Sequence, residues 1–430
     1  HDGIQNGSLA TASLSVTAGH NIDLTTDVQT AELNTIGAGY VTLQEHDGIV
    51  ITNMVTANGP ISVTSGGQVT AHIVDASQTD LFTNTITVLA NDGIDVGEIH
   101  TGPTASVTLT SSNGPVAHDD DVAIDVTTGT LTTTAASNIT LDTETGVLVL
   151  SSTGDGAITI TEFDDVIAED ISTANGAIQV DAIGQIQVKK IDAGAVHDVT
   201  LHSQDAGIID DTDSDVDLFA NSLIAQADGT VVLHTSVDVL SVSSTTGDIW
   251  LTELDDVSQL WVQASTGEIS IVSTTGELQD NDADTDLYAE DLFLQAVGIG
   301  QPLNLVQSQT DFLEVITSTS GLWLENSGDL VIGGVSQANG LQSDGPMLLV
   351  VIDSETTGLV VNEDIHGQGN VTLRVNETTP DNTSNSLSIA AGTTVQTVEG
   401  GITLIIGDDF DFPGGATPAI LRASDSVTVY

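Results

Sequence analysis

The sequence predicts an all-β chain wound as a parallel β-helix, a β-solenoid with coils of about 22 residues. Three observations lead there. A long repeat changes its spacing by a whole coil. Strand-like alternation runs the length of the chain. No stretch sustains a 3.6-residue apolar period, so almost no helix is expected.

The repeat carries the most information. TITEFDDV (159–166) aligns with WLTELDDV (250–257) at an offset of 91, and the same offset lays Gly176 on Gly267. GIIDDTDSDVDLFANSLIAQA (207–227) aligns with GELQDNDADTDLYAEDLFLQA (276–296), but at an offset of 69. The difference is 22 residues, lost between Gly176 and Gly207 with both flanks intact. A globular core would not survive losing so small a piece from its middle. A solenoid survives it, because each coil touches only its neighbours. QEHDGIVITNMVTANGPISV (44–63) lies on TEFDDVIAEDISTANGAIQV (161–180) at offset 117, and Trp250 and Gly267 meet Trp323 and Gly340 at offset 73. Equivalent glycines thus fall at 59, 176, 267 and 340. The alternative is a string of immunoglobulin-like β-sandwiches of about 90–100 residues, which would hold the spacing nearly constant.

The elements follow in order. Short runs of period-2 alternation occur at 13–17, 61–65, 86–90, 106–110, 157–161, 177–181, 248–252, 268–272, 370–375 and 386–390. Val, Ile, Leu and Thr dominate them, the residues that fit a pleated, half-buried surface. Asn-Gly pairs at 6–7, 58–59, 113–114, 175–176 and 339–340 mark turns between them. The expected organisation is one continuous solenoid over 1–430, with long repeats near 44–160, 161–251, 252–324 and a degenerate 325–430. About 19 coils at one strand spacing of ~4.8 Å would make a rod on the order of 90 Å long. Stretches 72–85 and 376–385 are irregular and read as insertions. Neither end reads as a polar cap, and His1 opens in mid-pattern. The chain is therefore expected to be part of a longer polypeptide or to stack end on end with copies of itself, as a head-to-tail homopolymer.

Charge narrows the function classes. The chain carries 62 acidic and 4 basic residues, a net charge of −58, which excludes nucleic acid and anionic membrane as electrostatic partners. No apolar run approaches the ~18 residues of a spanning helix, so membrane insertion is not expected. Cysteine is absent, so no disulfide framework and no thiolate metal site exists. An acidic, cysteine-free, Thr/Ser/Gly/Val-rich chain of this kind suits a secreted bacterial surface protein or one bathed in high salt.

The run DTDSDVDLFANSLIAQA followed by VLSVSSTTGDIWLTELDDV resembles the repeats of very large bacterial surface proteins related to filamentous haemagglutinin. So does DNDADTDLYAEDLFLQA followed by FLEVITSTSGLWLENSGDL. The match covers roughly 140–335, with a looser N-terminal third and a weaker C-terminal stretch. The resemblance implies a right-handed parallel β-helix, secretion to the cell surface, and a role in adhesion or in building an extracellular layer or fibre. The secretion domain typical of the haemagglutinin N-terminus is not in these residues.

The candidate chemistry is an aspartate comb. Asp211, Asp213, Asp215 and Asp217 alternate with other residues, and all four recur at offset 69 as Asp280, Asp282, Asp284 and Asp286. In extended backbone these carboxylates would share one face at ~6.6 Å intervals. Rows of hard oxygen ligands suit Ca²⁺, and a turn could bring two onto one ion. The bland reading is a row of solvated acids keeping an edge soluble. A looser comb comprises Asp119, Asp120, Asp121 and Asp125. No EF-hand spacing and no HExxH occurs, and His46, His118 and His197 read as surface residues. Trp250 and Trp323, and Phe219 and Tyr288, occupy equivalent positions and read as stacked core or surface aromatics between coils, with a sugar-binding platform as the alternative. Asn138, Asn370, Asn376 and Asn382 head N-x-[ST] sequons.

The function expected from these residues is structural and non-catalytic, in an extracellular bacterial surface fibre or adhesin. A glycan- or host-protein-binding adhesin stalk is the first alternative. A β-helix polysaccharide-active enzyme is the second, and it would need two carboxylates at a set separation. No G-x-S-x-G elbow appears.

Overall fold

A computed structural model describes residues 4–118, 123–282, 284–335, 338–354, 356–376, 385–407, 409–412 and 417–430, with side chains from residue 11 onward. The fold is a β-solenoid of about 19 turns of roughly 21 residues, 65% strand, without helix among the described residues. Sandwiches are ruled out by the direction of the strands, since every ladder between strands is parallel. The chain divides into two compact units, residues 1–213 with 217–221, and 214–216 with 222–430.

In the first unit, Ile22 lies in register with Val41, Val41 with Ile61, Ile61 with Ile86, and Ile86 with Val107. A second such column runs Ile139, Ile158, Ile178, Val199. In the second unit, Val231, Ile249, Ile269, Leu292 and Leu313 form one column. Leu322, Met347, Val371 and Ile402 form another. All of these side chains are buried. The cause is local. A two-residue side-chain period sends alternate residues inward, so Val41–Glu45, Ile61–Ser65 and Ile86–Ala90 share one alternation of buried and open positions. Parallel register then sets each inward Val, Ile or Leu on its like in the adjacent turn. Burying each such side chain stabilises by about 1.5–3 kcal/mol.

Turn length varies because extra residues are placed at the corners. Val41 follows Ile22 by 19 residues, whereas Ile86 follows Ile61 by 25. The surplus is the loop 76–85, where Asn84 is buried and its Nδ2 donates to the Thr79 carbonyl at 2.7 Å. This loop leaves Phe82 75% exposed; of the stretch read as irregular, residues 72–75 belong to the strand Val69–Asp75, and the outward insertion is 76–85. Ile402 follows Val371 by 31 residues, and most of the matching irregularity at 376–385 lies outside the described residues.

The repeating glycines mark where turns come closest. A Cβ on Gly176 would sit 2.2 Å from the Gly156 carbonyl oxygen, and one on Gly59 equally close to that of Gly39. At Gly267 and Gly340 the corresponding distances are 2.5 Å to Gly247 and 2.3 Å to Asp364. Just before this point Thr56 and Thr173 each donate a hydroxyl to the carbonyl of Gly59 or Gly176 at 2.6 Å, closing the corner. The Asn-Gly pairs at 58–59 and 175–176 therefore turn the chain from one face of a coil to the next rather than into hairpins, whereas Asn6-Gly7, expected as a turn, lies within the strand Ile4–Ala18 at a register irregularity. Gly176→Ala should force adjacent turns apart and lower stability by about 1–3 kcal/mol. The guanidinium unfolding midpoint measures it.

Candidate functional site

The aspartate comb is not extended. Residues 211–217, 279–282 and 284–286 lie outside strands, and Thr212 takes a left-handed φ of 71°. The reason is the affinity of Asp side chains for the backbone two residues ahead. The Asp213 amide donates to Asp211 Oδ1 at 3.2 Å. In the second copy the Asp282 amide donates to Asp280 Oδ2 at 2.8 Å, and the Asp284 amide to Asp282 Oδ1 at 2.9 Å. The chain curls, and the ~6.6 Å spacing expected of a strand is lost.

Curling gathers three of each four carboxylates. One oxygen from each of Asp211, Asp213 and Asp217 lies within 4.8 Å of the others, and so does one from each of Asp280, Asp282 and Asp286. Asp215 and Asp284 are exposed. Asp217, Asp280 and Asp286 are each only 2% exposed. Asp286 Oδ2 accepts the Gln307 amide at 2.8 Å. Burial, joined by the charges of Asp280, Asp282 and Asp284, pushes its carboxyl up to about 8. Asp280 Oδ1 is buried without a hydrogen-bond partner. Beside this turn opens a cavity of about 600 Å³ lined by Trp261, Tyr288, Gln259, Asp282, Asp284 and Asp286.

Of the looser comb, Asp119, Asp120 and Asp121 lie outside the described residues. Asp125 is buried and its Oδ2 accepts the Asp142 amide at 2.5 Å. His118 joins Asp125 and Asp142, their ligating atoms within 4.8 Å. The surface reading of His118 thus missed a grouping that only the fold creates. His197 does sit at the surface, its Nε2 2.6 Å from Asn175 Oδ1.

The second feature missed is a buried acid once per long repeat. Glu45, Glu162 and Glu253 end the strands Val41–Glu45, Ile158–Glu162 and Ile249–Glu253 at an inward position. Each lies in register with a threonine of the adjacent turn and accepts its hydroxyl. The distances are 2.6 Å from Thr26, 2.7 Å from Thr143 and 2.7 Å from Thr235. Each also takes the amide two residues further on, of Val28, Thr145 or Val237, at 3.0–3.2 Å. The carboxylates thereby satisfy corner amides that a bending chain cannot pair within the sheet. In the last repeat Asn326 replaces the acid, accepting from Ser308 at 2.9 Å and from the Thr310 amide at 3.1 Å. These four residues stand at the glycine offsets of 117, 91 and 73. Burial pushes Glu162 and Glu253 up to about 7, against the hydrogen bonds that pull them down. The signal was present in TITE and WLTE, where period 2 directs the final Glu inward.

The aromatics do not stack between turns. Trp250 is in register with Val232 and Ser270, and the ring of Trp323 lies against Gly321. Among the described residues the ring pair in contact is Phe410 with Phe412, centroids 5.6 Å apart. Trp250 and Trp323, at an offset of 73, are separated by several turns.

No protein-family model, no curated protein and no solved structure matches this chain.

Proposed function

We propose that this chain is a structural, non-catalytic element of an extracellular bacterial surface fibre or adhesin, related to the filamentous-haemagglutinin-like repeats it resembles. The observation that carries this reading is the register of the ladders. Turn after turn within each unit is joined to the next by parallel backbone hydrogen bonds around a continuous aliphatic core. Such a ladder resists tension along its axis, because separating two turns requires breaking many bonds together. The acidic surface supports the same reading, since like-charged elements repel sideways and stay dispersed. The partner in such a fibre is a further copy of this chain or the remainder of a longer polypeptide. Immunogold labelling of intact source cells tests this. Label on extracellular fibres or a surface layer is expected, and label confined to the cytoplasm would overturn it.

A second reading has one observation in its favour. The cavity holding Trp261 and Tyr288 also presents two neighbouring carboxylates, Asp282 and Asp286, and burial raises the second to about 8. Flat rings beside such a pair suit a glycan-active site. Release of reducing sugar from bacterial or host polysaccharides, abolished in Asp286→Asn, would establish that reading. Its absence across a broad panel would leave the structural one.

A further inference from the structure

We propose that Asp280, Asp282 and Asp286 bind one calcium ion. This goes beyond the structural reading and does not depend on it.

Three oxygens of these side chains converge within 4.8 Å. Convergence of acids is common at acidic surfaces, so a further observation is needed. Asp280 supplies it. Its side chain is 98% shielded, and Oδ1 has no hydrogen-bond partner while Oδ2 takes the Asp282 amide. A buried carboxylate oxygen left unpaired among other carboxylates costs free energy that a cation at the same point removes. An acid–base pair for glycan chemistry needs two carboxylates and leaves the third without a part. No lysine or arginine is in this part of the chain to act as counter-ion, the four being Lys189, Lys190, Arg374 and Arg422.

The donor set selects the ion. All three ligands are hard carboxylate oxygens, without sulfur or imidazole, which suits calcium over zinc or copper. Asp282 and Asp286 also line the open cavity. Water can therefore enter and complete the six to eight ligands calcium takes, about half of them from solvent. The flexible geometry of that shell favours calcium over magnesium, which demands a near-ideal octahedron. Each aspartate uses one oxygen to hold the turn, at Asp282, Asp284 and Gln307, so the site is shaped before the ion arrives.

Trp261 and Tyr288 line the adjoining cavity and provide the test. Terbium replaces calcium in oxygen sites and emits when a nearby indole is excited. Titration of the whole chain with Tb³⁺ should give saturable, tryptophan-sensitised emission that Ca²⁺ displaces and equal Mg²⁺ at matched ionic strength does not. Trp261→Phe should remove most of the emission and leave calcium binding by calorimetry unchanged. Asp282→Asn keeps the acceptor for the Asp284 amide, so the turn should fold, as circular dichroism would confirm. It should weaken calcium by about tenfold or more through loss of a ligand charge. Emission that never saturates, that magnesium displaces equally, or that Asp282→Asn leaves untouched would overturn the proposal.

Discussion

Glu253→Ala should destabilise the chain by about 3–5 kcal/mol, since two buried donors lose their acceptor at roughly 1–3 kcal/mol each. The donors are the Thr235 hydroxyl and the Val237 amide, with Glu253 itself fully buried; the Leu254 amide, which also bonds Glu253, keeps the Thr235 carbonyl as acceptor at 2.9 Å. Glu162→Ala should behave alike, because Thr143, Thr145 and Phe163 stand in the same relation to it. Glutamine at either place should cost far less. The chain already carries that exchange in shorter form. Asn326 accepts from Ser308 and Thr310 and returns a bond from Nδ2 to the Thr310 carbonyl at 3.2 Å. Guanidinium unfolding followed by circular dichroism measures the difference. Equal loss from alanine and glutamine would show that the acceptor oxygen is not what matters.

The same two acids should make the protein more stable at pH 5 than at pH 8. Burial raises both carboxyls from an ordinary 4.5 to about 7. Between those values the folded chain holds protons that the unfolded chain has released. Stability is therefore fully present below about pH 4.5 and falls as pH rises through about 7. Each group contributes on the order of 3 kcal/mol across that window. Self-repulsion from a net charge of −58 acts in the same direction, easing as acids are protonated. Asp329 acts in the opposite direction at lower pH. Partial burial would raise its carboxyl, but hydrogen bonds from Ser354, Thr356, Thr357 and Gly358 prevail and hold it well below the ordinary range. Its contribution is present above its ordinary value of 3.8 and is lost on further acidification. The unfolding midpoint at constant ionic strength should fall from pH 5 to pH 8; Asp286, raised to about 8, contributes in the same sense, and the double variant Glu162→Gln, Glu253→Gln should show a clearly shallower slope than the parent. A midpoint that rises with pH would contradict the assignment.

The fold was legible in the sequence because a solenoid records its period directly. The change of offset from 91 to 69 between Gly176 and Gly207 corresponds to one turn, which the structure places as Ala182 in register with Ser203. The repeated glycines also had one physical cause, the close approach of a neighbouring carbonyl. The candidate site was half legible. The choice of Asp residues and their recurrence could be read, but not their geometry. Alternation in a sequence looks the same whether the backbone extends or curls, and the side-chain-to-amide bonds of Asp280 and Asp282 decide for curling. His118 with Asp125 and Asp142 was invisible for another reason: its members meet only because Val116 of one turn lies beside Ile139 of the next. The buried glutamates were readable in principle. Their inward position follows from period 2, and an acid there contradicts the aliphatic pattern around it.

The claim on which the rest depends is that a turn is a removable unit. Deleting residues 183–203 joins Ala182 to Gln204, which occupies the equivalent place one turn later; the amides of Ile183 and Gln204 bond in the same way to Glu162 and Ala182. Deleting residues 183–193 removes about half a turn and puts inward residues outward. Unfolding of the two proteins, side by side with the parent, tests the account most directly. The whole-turn deletion should fold with the parent's circular dichroism spectrum and a similar midpoint, while the half-turn deletion should be grossly destabilised. Equal damage from both would contradict the solenoid account.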